Sequence, residues 1–213
     1  MDLKGKTVNF LGDSITFGAL ASDPSLGYVE LLRKELEIGK VVNSSIPGAR
    51  IGEYVGEDPR NLNRPFCMTF EEMPNDADLV IVFGGTNDFG IGNAPLGTFE
   101  SRDKKTFKGA LDYLMSGLKE KYPGIPIVFM TPLKRRNMDI PNEFNGAVLK
   151  DYVDAIKERA AYYSFKVFDL FASDKIPGGE EGYKKLITED GLHPNNEGHR
   201  VLADVVKEYL IKL

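Results

Sequence analysis

The sequence predicts an α/β protein: a three-layer α/β/α sandwich around a parallel sheet. Three observations carry that expectation. Short apolar runs bounded by turn residues occur at 7–11, 40–43, 78–83, 125–130 and 165–168; continuous rather than alternating, they suit strands buried on both faces. Between and after them lie segments with helical spacing, at 28–38, 103–122, 143–163 and 197–213. Finally, strands alternating with helices imply βαβ crossovers, which place helices on both sides of the sheet.

Each element has its own signal. The segment 103–122 puts Phe107, Leu111, Leu114 and Leu118 on one stripe and stops at Tyr122-Pro123-Gly124. The run 78–83 is followed by the turn residues Gly84-Gly85. Near the C-terminus, Pro194 disfavours helical geometry at His193 and suits the first turn of the helix that follows.

The 213 residues are 42% hydrophobic and 28% charged, an ordinary globular composition that reads as one domain over 1–213. A chain of this length buries roughly 70% of its unfolded surface, enough to need no disulfide or metal staple. The formal charge of -5, without a basic stripe, argues against a nucleic-acid partner. Lys134-Arg135-Arg136, the densest basic cluster, reads as a solvated loop. The single cysteine, Cys67, lacks partners for a disulfide or a zinc site and is expected to be an inert, partly buried thiol. With no signal-peptide pattern and no membrane-spanning run, the expected location is cytoplasmic, with no membrane partner.

Three connections are long: 44–77, 84–102 and 172–192. Long loops in a compact domain are usually functional, and in an open parallel sheet the binding crevice lies beyond the carboxyl ends of the strands. The chemistry-bearing residues stand at those ends. Gly12-Asp13-Ser14 follows the first run, Asn43-Ser44-Ser45-Ile46-Pro47-Gly48 the second and Gly84-Gly85-Thr86-Asn87-Asp88 the third, with Asp190-Gly191-Leu192-His193-Pro194 near the C-terminus.

Acyl transfer needs a nucleophile, a base, a group that orients the base, and donors for the oxyanion. Ser14, alone, reads as a turn or helix-capping serine; in this set it is the candidate nucleophile, with a helix N-terminus to favour developing negative charge. His193 is the candidate base and Asp190, three residues earlier, its orienting carboxylate. The other histidine, His199, is expected to pack or face solvent. The Ser14 N–H, the Gly48 N–H and the Asn87 side-chain amide are candidate oxyanion donors. Asp88 reads as structural, because a carboxylate at the oxyanion would repel it.

Gly12-Asp13-Ser14, Gly48, Gly85-Thr86-Asn87-Asp88 and Asp190-Gly191-Leu192-His193-Pro194, in that order, resemble the four blocks of the SGNH hydrolases, also called the GDSL lipase/acylhydrolase family. The match spans nearly the whole chain. Ile15 stands where the family name has Leu, and Asn43-x-Ser45-x-x-Gly48 lacks a first glycine often found there. The resemblance implies a flavodoxin-like sandwich around a five-stranded parallel sheet and hydrolysis without metal or other cofactor. It also implies a Ser14, His193, Asp190 triad with Ser14, Gly48 and Asn87 as the oxyanion hole.

The substrate is less sharply written. Arg50, Arg60, Asn61, Asn63, Arg64 and Phe66 lie in the first long connection, and Ile91, Pro95, Leu96 and Phe99 in the second. Arg50, Arg64 and Phe66 are the candidate substrate-binding residues. This mildly polar mixture leans toward short-chain or carbohydrate-linked (acetyl) esters rather than the longer acyl chains of a lysophospholipase or thioesterase. The alternative from another class is a flavodoxin-like module binding phosphate or flavin through its glycine-rich turns; Asp13 and Asp88 oppose an anion there. The expected partner is a small-molecule ester, and a homo-oligomer is compatible with the sequence.

Overall fold

A computed structural model describes residues 1–62, 64–176 and 185–213. Five strands form one sheet: β1 (Thr7–Gly12), β2 (Lys40–Asn43), β3 (Leu79–Phe83), β4 (Ile127–Met130) and β5 (Lys166–Phe168). Their order is β2-β1-β3-β4-β5, and every neighbouring pair is parallel. All five residues of β3 and all four of β4 are buried, whereas the edge strands β2 and β5 are partly open. This is why the central runs are continuously apolar and the edges carry Lys40 and Lys166.

The pleat sorts β3 into two cores. Val80 and Val82 face α5 (Phe107–Lys121) and α6 (Leu149–Tyr163), packing with Leu111, Leu114, Tyr152 and Ile156. Leu79, Ile81 and Phe83 face α2 (Tyr28–Glu35) and the C-terminal helix α7 (Asn196–Lys212), packing with Leu32, Leu202 and Val206. Helices on both faces bury the sheet as the alternation of strands and helices requires. Among the described residues no helix is long and apolar enough to cross a membrane.

Helix ends differ from the spacing by a few residues, for local reasons. Helix α5 begins at Phe107 rather than 103, because the Thr106 side chain caps it by accepting the Gly109 N–H at 3.2 Å. Helix α6 begins at Leu149 rather than 143, because Asn142 Oδ1 accepts the Phe144 and Asn145 N–H groups and folds that stretch into a turn. Helix α2 ends at Glu35, and the chain then turns through Glu37 at φ 49°.

Much of the connection 84–102 is structural. The Pro95 and Leu96 carbonyls accept the Phe107 and Lys108 N–H groups and so finish the N-terminus of α5. Buried Arg159 donates to Asp112 Oδ1 at 2.8 Å and lies 3.9 Å over the Phe99 ring. Leu96 packs on the core, while Phe89 and Ile91 from this loop reach the cleft described below.

Candidate active site

The strand order reverses direction between β1 and β3, and a parallel sheet opens its ligand crevice at such a point, beyond the carboxyl ends. Ser14 leaves β1 there and Asn87 leaves β3. Ser14 is the first residue of a one-turn helix, α1 (Ser14–Phe17), and is buried. The capping role expected of Ser14 belongs instead to Asp13, whose carboxylate accepts the Ile15 N–H at 3.0 Å. That division leaves the serine hydroxyl free to turn toward His193. With four residues, α1 contributes only a weak dipole to the helix N-terminus expected to favour negative charge at Ser14.

His193 Nε2 stands 2.7 Å from Ser14 Oγ, joining residues 179 apart in the chain. On the other side of the ring, Nδ1 meets Asp190 Oδ2 at 2.5 Å. Asp190 also accepts the backbone N–H groups of Leu192 at 2.8 Å and His193 at 3.0 Å, and the Thr188 hydroxyl at 2.7 Å. Partial burial would raise its pKa, but these donors, the His193 ring foremost, hold the carboxyl well below the usual carboxylate range. An ionised Asp190 requires Nδ1 to carry the proton, so Nε2 presents its lone pair to the Ser14 O–H.

The turn that carries Asp190 is braced from outside. Gly191 has φ 72°, and a Cβ there would stand 2.5 Å from the Cβ of Arg136, so glycine is required twice over. The Arg136 N–H donates to the Gly191 carbonyl at 2.8 Å and its guanidinium to the Glu189 carbonyl at 2.9 Å. Arg135 donates to the carbonyl and hydroxyl of Thr86 at 3.0 and 3.1 Å and lies 5.5 Å from the centre of the Phe89 ring. Two members of the basic cluster expected to be a solvated loop therefore clasp the site.

On the opposite side, the loop after β2 is tied down at successive points. The Ile46 N–H donates to the Gly12 carbonyl at 3.0 Å, and Asn43 donates its amide to the Thr16 carbonyl at 3.1 Å. Gly48 turns the chain at φ 81°, in the left-handed region. Asn87, first turn of α4 (Thr86–Ile91), donates one amide hydrogen to the Ala49 carbonyl at 3.0 Å. Its second amide hydrogen is left for another acceptor. Among the described residues, neither the Ser14 N–H nor the Gly48 N–H is taken by a protein acceptor.

Asp88 is structural as expected, accepting the Ile51 and Gly52 N–H groups at 2.8 and 2.9 Å. Burial pushes its carboxyl up to about 6 in spite of those donors, and pushes Asp13 up to about 7 against the Ile15 N–H. His199 packs: it is fully buried, stacks on Tyr28 with rings 8° from parallel, and burial lowers its pKa. Cys67 is fully rather than partly buried, and burial pushes its thiol up to about 12, away from reactivity.

The three candidate substrate-binding residues are not at the site. Arg50 is buried, pairs with Asp58 at 2.5 Å and stacks 4.9 Å from the Tyr54 ring centre, so it shapes the loop from within. Arg64 points outward into an exposed pair with Glu72. Phe66 is a core residue lying under Gly84, where any Cβ would meet its ring at 2.4 Å. Asn63 lies outside the described residues. Sequence reasoning did not single out Thr188 or Tyr54, and Arg136 read only as part of a solvated basic loop; the hydroxyl two residues before Asp190 was the one local signal available, the others depending on tertiary folding.

A cleft of about 590 Å³ runs beside Asp190, with Tyr54, Arg60, Phe89, Arg136 and Phe144 among the residues lining it. A serine hydrogen-bonded through histidine to aspartate, at the switch point of a parallel α/β sandwich, defines the class of acyl-transfer hydrolases. The chain belongs to the GDSL-like lipase/acylhydrolase family, whose model matches residues 10–201. It is similar to a protein from Lactobacillus plantarum, at 29% identity over 98% of both chains with a TM-score of 0.84. A lipase/acylhydrolase from Enterococcus faecalis shares the fold at 22% identity, over 96% of this chain and 95% of that one, with a TM-score of 0.65. The salicylyl-acyltransferase SsfX3 from a tetracycline biosynthetic pathway shares it at 19% identity, over 98% of this chain and 55% of that one, with a TM-score of 0.69. Comparison with curated proteins returned no match.

Proposed function

We propose that this protein is a carboxylic ester hydrolase working through an acyl-Ser14 intermediate on short-chain or carbohydrate-linked esters. The observation that carries this reading is the pair of hydrogen bonds from Ser14 Oγ to His193 Nε2 at 2.7 Å and from His193 Nδ1 to Asp190 at 2.5 Å. Ser14 Oγ attacks the ester carbonyl carbon while its proton passes to His193 Nε2. The oxyanion is received by the Ser14 N–H, the Gly48 N–H and the Asn87 amide, and Asp190 stabilises the imidazolium. Collapse breaks the bond to the alcohol oxygen, which leaves with the proton from His193. Water then attacks the acyl carbon, again losing a proton to His193, and the acid departs as Ser14 recovers its hydrogen.

The polar content of the cleft, with Arg60, Arg136 and Asn142 beside its aromatic residues, supports a short acyl group on a polar alcohol. A chain-length series of 4-nitrophenyl esters tests this. A steep preference for acetyl over octanoyl is expected; the reverse order would move the assignment to a lysophospholipase or thioesterase. The phosphate- or flavin-binding reading is disfavoured, because buried Asp13 and Asp88 place carboxyl groups in the turns after β1 and β3 where such a ligand would bind, and Asp13 already takes the Ile15 N–H.

A further inference from the structure

We infer that the ester this site takes carries a carboxylate or phosphate, and that Arg60 is the residue that reads the charge. The inference rests on the hydrolase reading above and adds the charge of the substrate to it.

Arg33, Arg50, Arg64, Arg102, Arg159 and Arg200 each pair with a carboxylate. Arg60 and Arg136 have no carboxylate partner among the described residues, and both line the cleft beside Asp190. Both are exposed, but each is placed at the mouth of the site. Arg60 Nη1 lies 3.5 Å from where a Cβ on Gly48 would stand, so its guanidinium hangs at the loop that offers the oxyanion donor. Arg136 is fixed on the side of the base by its bond to the Glu189 carbonyl at 2.9 Å. The cleft thus has one guanidinium at the oxyanion loop and another at the loop of the base.

The opposing charges are few. Asp190 also borders the cleft, but its carboxylate is engaged by His193 and three further donors. Glu143, exposed in the cleft wall, is the other carboxylate there. A neutral substrate covering the cleft would strip water from Arg60 without replacing it, which costs binding energy. An anionic group instead meets a planar fork suited to bidentate contact with carboxylate or phosphate, strengthened as water is excluded. The aromatic rings of Tyr54, Phe89 and Phe144 supply the apolar walls against which such a group is held.

Two matched pairs of esters test the inference. In one the charge is on the alcohol half, 4-acetoxybenzoate against 4-acetoxybenzamide. In the other it is on the acyl half, the 4-nitrophenyl monoester of succinate against that of succinamate. In at least one pair, kcat/KM for the anionic member should exceed its neutral isostere by about tenfold or more, as for one charge-assisted contact. That ratio should fall toward one in Arg60→Gln and at high salt, and survive in part in Arg60→Lys, which keeps the charge and loses the fork. Because each ratio is taken within one protein, a general loss of activity does not imitate the result. Turnover of the neutral esters as fast as the anionic ones by the wild type, or a ratio untouched by Arg60→Gln, would overturn the inference and leave the hydrolase reading standing. Failure to hydrolyse any of the esters, with Ser14 unreactive toward a fluorophosphonate, would remove both.

Discussion

The Asp88 carboxylate accepts the Ile51 backbone N–H at 2.8 Å, joining the start of α4 to the far side of the loop that carries Gly48. Its other oxygen accepts the Gly52 N–H at 2.9 Å, so the loop is held at two adjacent points, with the Asn87 amide on Ala49 as a third. Asp88→Ala should lower kcat by about ten- to a hundredfold, less than outright loss of an oxyanion donor. Asp88→Asn, whose amide oxygen still accepts, should keep more of the rate. Steady-state kinetics alongside thermal melting checks this; a fall in melting temperature with kcat intact would show that the clamp serves the fold alone.

In the proposed mechanism Asn87 acts through the amide hydrogen that Ala49 does not use. Asn87→Ala should reduce kcat by about 10²–10³ with KM little changed, since the contact forms with the oxyanion rather than with the ground-state ester. A change confined to KM would contradict that role.

The layered fold was legible because the central strands announce themselves as unbroken apolar runs, and because Ser14, Asn87 and His193 each lie within two residues of a glycine or proline that marks an element boundary. What escaped the sequence depends on which way long side chains turn. Arg50 and Arg60 stand ten residues apart in one loop, yet Arg50 is buried against Asp58 and Arg60 lines the cleft. Phe66 was indistinguishable from a cleft aromatic until Gly84 was seen lying over it. The cap at α1 was misplaced by one residue because Asp13 and Ser14 are both good capping residues, and only the geometry distinguishes the one that accepts the Ile15 N–H.

Asp190 should matter to rate far more than to folding. Its folded pKa is depressed, so any stability it contributes is present above the ordinary carboxylate value and lost only as pH falls through the lower folded one. In mildly acidic to neutral buffer it stays ionised. Asp190→Asn should therefore cut kcat by about 10⁴ through the wrong histidine tautomer, with a near-native melting temperature at neutral pH. Activity within tenfold of the wild type would argue that His193 needs no orienting carboxylate.

Asp13 behaves in the opposite sense. Burial raises its carboxyl to about 7 from an ordinary value of 3.8, so between those limits the folded state holds a proton that the unfolded chain has released. Stability from this group is then fully present below the ordinary value and lost as pH rises through the folded one. Asp13→Asn keeps an acceptor for the Ile15 N–H without the charge. The melting temperature of Asp13→Asn minus that of the wild type should be more positive at about pH 8 than at about pH 5. A difference independent of pH would show that Asp13 titrates as an ordinary carboxylate.

Covalent labelling tests most directly whether Ser14 is the nucleophile. Intact-mass measurement after treatment with a fluorophosphonate should show one adduct on the wild type, mapped to the peptide containing Ser14, and none on Ser14→Ala at the same exposure. An adduct on another residue, or equal labelling of Ser14→Ala, would contradict the account.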